Sequence, residues 1–258
     1  MNLLRFDSEA AWLAGVAAAW RDRLCRHPRL RMCLPSGKTP EGVYAAMAAA
    51  VKAGNASFRT TEIFALDEFG GLRPDDPGRC VNMLRQQLID RIDLPRDRFH
   101  ALDVQAPNLE AMCRAYDGDI GRGFDLVLLG VGLNGHLGMN EPGSTRDCPT
   151  RRVALHPATV ESAARYLNHD RLPTWGVTVG LKQLLNSKEV WLLAAGPAKA
   201  EILARAVNGP VSTDVPASLL REHPNCSCFL DAEAAARLSL LAADARRDPP
   251  RRRSRRHH

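Results

Sequence analysis

No window of the 258 residues approaches the ~18 continuous apolar residues that a membrane span requires. The richest apolar runs, Phe124–Gly132 and Val190–Gly196, are of strand length. A secretory leader is not expected either. Asp7 and Glu9 interrupt the N-terminus, and its Ala, Trp and Leu residues repeat as in an amphipathic helix. The seven cysteines, at 25, 33, 80, 113, 148, 226 and 228, are odd in number and follow no disulfide framework, which fits a cytoplasmic chain with reduced thiols. Cys226 and Cys228 form a C-x-C with no second pair nearby, so no metal site is expected. Alternate positions on a strand would leave both facing one side.

A broad basic face is missing as well. The net charge is +6, but residues 246–258 hold seven arginines and one aspartate, and the rest of the chain balances 28 basic against 28 acidic residues. A neutral body argues against nucleic-acid binding. Residues 245–258, rich in Pro and Arg, read as a basic, disordered, solvated tail. Residues 1–244 then read as one domain without repeat or internal linker, and 45% hydrophobic with 25% charged residues is ordinary for a soluble globular protein.

Strand-like and helix-like segments alternate along that domain. Strands are expected at Arg29–Leu34, Glu62–Leu66, Phe124–Gly130, Trp175–Val179, Val190–Ala195 and Cys226–Leu230. Helices are expected at Thr39–Ala53, Cys80–Ile92, Asn108–Arg122, Leu181–Asn186, Lys199–Val207 and Ala232–Ala243. The alternation implies an α/β fold: a single Rossmann-like domain with a mostly parallel sheet and helices on both faces. Ligands of such sheets bind beyond the carboxyl ends of the strands, so the loops after the strands carry the chemistry.

Three of these loops are unusual. The first, Leu34-Pro-Ser-Gly-Lys-Thr-Pro40, joins a strand to a helix. Thr39 is placed to cap that helix and Pro40 suits its first position. Gly37 permits close approach, and free N–H groups with Ser36, Lys38 and Thr39 favour a phosphate. The longer Walker A spacing is absent, and an ordinary capped turn is the plainer alternative. The second loop, Leu66-Asp-Glu-Phe-Gly-Gly-Leu72, sets adjacent carboxylates at a strand end, where one can move a proton between neighbouring carbons. The third, Gly130-Val-Gly-Leu-Asn-Gly-His136, runs on to Asn140-Glu-Pro-Gly143. Its G-x-G-x-x-G lies mid-chain with no clear helix after it, which argues against a dinucleotide site. The glycines instead surround a polar cluster of Asn134, His136, Asn140 and Glu141. A Glu can fix the tautomer of a nearby His and stabilise its protonated form.

Together these loops resemble the glucosamine-6-phosphate isomerase/deaminase family. Its marks are L-P-[ST]-G-x-T-P, L/M-D-E-[YFW]-x-x-L and G-x-G-x-[DN]-G-H-[IL]-x-x-N-E-P, and all occur here in order; the likeness runs from about residue 3 to 231. The segments Gly176–Leu185, Val211–Ser218 and Asn134–Pro142 look most like the galactosamine-6-phosphate isomerase branch. The main departure is Asn134, where glucosamine enzymes usually carry Asp. The resemblance implies the fold of the superfamily of glucosamine-6-phosphate deaminase, ribose-5-phosphate isomerase and CoA-transferases.

The resemblance also implies a chemistry: conversion of galactosamine 6-phosphate or glucosamine 6-phosphate to a ketohexose 6-phosphate plus ammonia. The phosphate would lie on Ser36, Gly37, Lys38 and Thr39, with Arg165 and Lys199 as distal ligands. His136 would open the sugar ring, with Glu141 orienting it and Asn134 beside it as a further catalytic group. Asp67 would carry the C2 proton to C1. Glu68, Gly132 and Gly135 would shape the sugar site. Asn134 would either suit a different C4 hydroxyl configuration or mark altered chemistry, since an amide cannot hold the charge of a carboxylate. No cofactor is needed, because the substrate's own carbonyl acidifies C2. The implied partner is a phosphorylated amino sugar, with no nucleic acid and no membrane, and the resemblance leaves room for a homo-oligomer. Residues of about 155 to 175 would form a lid.

Two alternatives remain at this level. A 6-phosphogluconolactonase family shares the fold and a similar third motif, but an arginine typically follows its Asp-Glu pair, where this chain has Phe69. A sugar-phosphate-binding sensor without turnover would usually add a DNA-binding domain, and none is expected before Met1.

Overall fold

A computed structural model describes residues 1–165, 167 and 172–238. Its strands are β1 (Asn2–Phe6), β2 (Arg31–Leu34), β3 (Glu62–Ala65), β4 (Asp67–Phe69), β5 (Phe99–His100), β6 (Leu126–Leu129), β7 (Arg151–Ala154), β8 (Trp175–Thr178), β9 (Val190–Ala194) and β10 (Cys226–Asp231). Its α-helices are α1 (Glu9–Arg26), α2 (Lys38–Lys52), α3 (Cys80–Gln87), α4 (Leu109–Ile120), α5 (Pro157–Ala163), α6 (Leu181–Leu185) and α7 (Ala200–Asn208).

The main sheet has seven strands in the order β1-β10-β9-β6-β2-β3-β5, and every pair is parallel. Its central strands, such as Leu-Val-Leu-Leu in β6, are buried along their whole length, as strands covered on both faces must be. Successive side chains alternate between two cores. Met32, Leu34, Ile63, Leu126 and Leu128 pack under α1, α2 and α3 with Trp20 and Tyr44. Cys33, Phe64, Val127, Leu129 and Leu192 pack under α4, α6 and α7. Cys226 and Cys228 both lie in this second core, as their alternation implied.

A second sheet is smaller and antiparallel, in the order β4-β8-β7. The chain crosses into it from β3 through Leu66, which donates to the Leu34 carbonyl (3.0 Å) and accepts from Val179 N (2.9 Å). Asp67 thus stands at the seam between the sheets. In the main sheet β3 and β5 lie on one side of β2 while β6 lies on the other. The loops leaving β2 and β6 therefore flank the point where the winding reverses, the expected position of a ligand crevice.

Several expected boundaries move. The helix after the first loop begins at Lys38, with Gly37 at the cap position and φ of 107°. Thr39 therefore lies inside the first turn and caps nothing. A left-handed φ of this kind favours glycine. The expected helix Cys80–Ile92 ends at Gln87 and continues as a 3-10 turn, Ile89–Arg91. Residues 232–237 form turns, not a helix, because Asp231 Oδ1 accepts from Ala234 N (2.7 Å) and closes the chain on itself. The remainder of the expected helix Ala232–Ala243 beyond residue 238, the basic tail, and residues 166 and 168–171 of the expected lid lie outside the described residues. Among the described residues no helix is long and apolar enough to cross a membrane.

Candidate active site

A cavity of about 260 Å³ opens at the switch point, near the lower end of the ~300–1,000 Å³ usual for small-molecule sites. Its wall is built from the three loops read in the sequence and from two later segments. It includes Ser36, Gly37, Lys38, Thr39, Asp67, Gly132, His136, Arg165 and Lys199.

The first loop is clamped before it meets any ligand. Tyr44 donates its hydroxyl to the Pro35 carbonyl (2.6 Å). The Gln87 amide brackets Gly37, accepting from its N–H (3.3 Å) and donating to its carbonyl (3.1 Å). The first turn of α2 is thereby aimed at the cavity, and a helix N-terminus favours an anion. Lys199 also lines the cavity, its ammonium donating to the Val131 carbonyl (2.7 Å). Burial and the neighbouring charge of Arg165 both pull the Lys199 pKa down. Two cations that raise each other's electrostatic energy across one cavity are relieved by a shared anion.

Asp67 and Glu68 are adjacent on β4 and diverge, since successive strand residues point to opposite faces. Asp67 reaches the cavity. Burial, with the charge of Glu68, raises its pKa to about 6, against the lowering effect of a hydrogen bond with the Cys80 thiol and of His136. Glu68 turns away, which corrects the expectation that it lines the sugar site. It is 1% exposed and accepts from the N–H groups of Phe69 (2.8 Å), Cys80 (2.9 Å) and Val81 (3.2 Å). It also pairs with Arg79 at 3.2 Å. Glu68 is the cap of α3 and ties that helix to β4.

The third loop is held by Asn140, which is fully buried. Its amide donates to the carbonyls of Leu137 and Val179, both at 2.9 Å, and its Oδ1 accepts from Arg151 (2.8 Å). Glu141 follows and backs His136: Oε2 lies 3.3 Å from Nδ1. The same Oε2 accepts from the Asn134 amide (2.8 Å), and Oε1 accepts from His156 N (3.2 Å). Burial pushes the Glu141 carboxyl up, but hydrogen bonds from His136, Thr159 and Asn134, with the charge of His136, outweigh it and bring the pKa to about 2. Asn134 is therefore behind the imidazole, holding Glu141 and accepting from His136 N (3.2 Å); it is not on the cavity wall. The His136 ring lies flat against Gly132, where an added Cβ would fall 2.2 Å from Cε1. Gly135 faces Val215 and Ile202 instead of the cavity, a second correction to the expected sugar site.

Among the wall residues that went unread in the sequence, Cys80 and Thr159 touch the chemical groups. Cys80, at the start of α3, hydrogen-bonds Asp67 and Ser36. Thr159, on α5, lies 3.0 Å from His136 Nδ1. Each meets its partner across a long stretch of chain, and no local pattern announces it.

The family described as glucosamine-6-phosphate isomerases/6-phosphogluconolactonase matches residues 7–228. The chain is 36% identical over 239 residues to a glucosamine-6-phosphate deaminase of Shouchella clausii, covering 92% of this chain and 97% of that relative. It is 37% identical over 239 residues to one of Rhodopirellula baltica, covering 92% and 95%. Among solved structures, a monomeric glucosamine-6-phosphate deaminase matches with a TM-score of 0.88 at 32% identity, over 92% of this chain and 100% of the other. A 6-phosphogluconolactonase of Thermotoga maritima matches with a TM-score of 0.70 at 21% identity, over 89% and 100%; at that identity the likeness is one of fold.

Proposed function

The chain belongs to the glucosamine-6-phosphate isomerase/6-phosphogluconolactonase family, and from that premise we propose that it is an isomerase/deaminase releasing ammonia from galactosamine 6-phosphate or glucosamine 6-phosphate. The observation that carries the proposal is the meeting of Asp67, His136, the α2 N-terminus, Arg165 and Lys199 on one cavity wall. That set pairs an anion cradle with a carboxylate and an imidazole. The deaminase relatives, at 36% and 37% identity, favour this reaction over lactone hydrolysis.

In this reading the sugar phosphate lies on Ser36, Gly37, Lys38 and Thr39, with Arg165 and Lys199 on its far oxygens. His136 takes the proton of the anomeric hydroxyl and returns one to the ring oxygen, so the ring opens to the aldehyde. Glu141 balances the charge of the imidazolium. Asp67 removes the C2 proton as the electron pair moves onto the C1 oxygen, and the same proton is then delivered to C1 as the C2 amine becomes an iminium. The iminium gives up one proton, which makes the C1 oxygen a hydroxyl, water adds to C2 of the resulting imine, and ammonia leaves with C2 as the ketone. Burial serves this step, because a carboxylate held near 6 is a stronger base than a solvated one and is still ionised at neutral pH.

The branch assignment rests on Asn134 and its neighbours. An Asp at this position would face the Glu141 carboxylate at hydrogen-bond distance, whereas the Asn134 amide donates to it. Because Asn134 lies off the cavity wall, it acts through Glu141 and His136, and we read the branch from the resemblance of the segment it belongs to, Asn134–Pro142, to galactosamine enzymes. The test is ammonia release from the two epimers side by side. Preferential release from galactosamine 6-phosphate supports the branch. Release mainly from glucosamine 6-phosphate keeps the reaction and removes the branch. Release from neither, with binding retained, favours a sensor and rejects the proposed activity.

Two further outcomes are expected. Asp67 must be ionised to accept the proton, so kcat/KM should fall as pH drops through about 6, the value to which burial raises this carboxyl. A pH–rate profile flat between 5 and 7, or limited only near ~4 as for a solvated carboxylate, would contradict the role given to Asp67. Gly132→Ala should displace the imidazole, because its Cβ would meet the ring at 2.2 Å. The expected loss in kcat is on the order of 10²-fold, the lower end of general acid–base contributions, measurable as ammonia release with thermal stability as a control.

A further inference from the structure

We propose that Thr159 is a positioning residue for His136: with Glu141 it closes a hydrogen-bond circuit that keeps the proton on Nδ1 and leaves Nε2 open to the sugar. The inference rests on the ring-opening role read for His136 above.

The geometry constrains every proton in the circuit. Thr159 is 6% exposed, and its Oγ1 lies 3.0 Å from His136 Nδ1. Its hydroxyl also hydrogen-bonds the Glu141 carboxylate. An ionised carboxylate only accepts, so the Thr159 O–H is the donor in that bond. The hydroxyl oxygen is then left with lone pairs, and Nδ1–H is the group that fills one. Glu141 Oε2, 3.3 Å from Nδ1, draws the same proton. Both neighbours of Nδ1 thus act as acceptors, so of the two neutral tautomers the geometry favours the one with the proton on Nδ1 and Nε2 unprotonated. The ring lies close against Gly132, which leaves no room for a side chain at that position.

Glu141 alone would not suffice. Its Oε2 is shared with the Asn134 amide at 2.8 Å, a closer partner than Nδ1. Removing the hydroxyl would leave the imidazole with the longer of its two contacts. Thr159 is also fixed in place by its own helix: His156 caps α5, with Nδ1 accepting from Ala158 N (3.2 Å), and His156 N donates to Glu141 Oε1 (3.2 Å). The start of α5 is therefore pinned to the residue that backs His136.

The test compares Thr159→Val, which keeps the shape and removes the hydroxyl, with Thr159→Ser, which keeps the hydroxyl. Thr159→Val should lower kcat for ammonia release by ~10-fold or more with KM within about twofold, and Thr159→Ser should recover most of the loss. Nitrogen-15 NMR of His136 in the ligand-free protein supplies a readout independent of turnover. The wild type should show the Nδ1–H tautomer, and Thr159→Val a mixture of the two tautomers. Equal losses in both variants, or an unchanged tautomer in Thr159→Val, would overturn the proposal. If Thr159→Val does not fold, Thr159→Ala takes its place in both measurements. A wild type that releases no ammonia would reject the proposed reaction, while the NMR comparison still decides the role of Thr159.

Discussion

Asp67→Asn is expected to reduce ammonia release by ~10³-fold or more, within the range lost when a general base is removed, while the protein still binds the sugar phosphate. The substitution keeps size and hydrogen-bonding capacity and removes only the proton acceptor. Nothing that would hold the phosphate changes, since Ser36, Gly37, Lys38, Thr39, Arg165 and Lys199 come from other segments of the wall. The loss should therefore fall on kcat and leave affinity within a few fold. Calorimetric titration of the variant with the sugar phosphate, beside its ammonia assay, separates the two effects. Retained turnover would remove Asp67 from the proton transfer. Lost binding would mean that the carboxylate holds the sugar instead of attacking C2.

Glu68→Ala should have the largest effect on stability. Glu68 and Arg79 are 1% and 9% exposed as side chains and lie 3.2 Å apart. Removing the carboxylate leaves a buried guanidinium unpaired, at a cost of about 3–5 kcal/mol. It also strips the N–H groups of Cys80 and Val81 of their acceptor. For a domain of this size that cost corresponds to a drop of roughly 10 °C in Tm. Thermal unfolding followed by circular dichroism measures it, and an unchanged Tm would show that Glu68 is not the tie between β4 and α3. The contrast with Asp67→Asn is informative: one carboxylate is expected to govern rate with little effect on stability, and its neighbour the reverse.

That division between two adjacent acids was not legible in the sequence, although its cause is simple. Asp67 and Glu68 look alike as a pair at a strand end. Read as a strand of its own, Asp67–Phe69 would have sent them to opposite faces, but three residues are too few to display a period. The same limit hid β5, which has only two residues, and the strand Asn2–Phe6, whose pairing with β10 lies at the far end of the chain. The main sheet was legible because its strands are long apolar runs separated by periodic helices, as in Phe124–Gly130 and Thr39–Ala53.

The loops were legible for a different reason. A parallel sheet delivers the ends of its strands to one edge, so residues such as Ser36, Asp67 and His136 could be expected to meet without knowing how. The direction of each side chain could not be read. Asn134 and Gly135 sit in an irregular loop, where no periodicity assigns a face, and both turn from the cavity. Thr159 and Cys80 reach the wall through tertiary packing alone.

The most direct measurement is the product stoichiometry of the purified wild-type protein with galactosamine 6-phosphate, following ammonia and ketohexose 6-phosphate in the same sample by enzymatic assay and carbon-13 NMR. Equal amounts of the two products, formed together, are expected if isomerisation and loss of the amine occur at one site. A phosphorylated amino ketose accumulating without ammonia, or no change in the sugar while 6-phosphogluconolactone is hydrolysed, would contradict it.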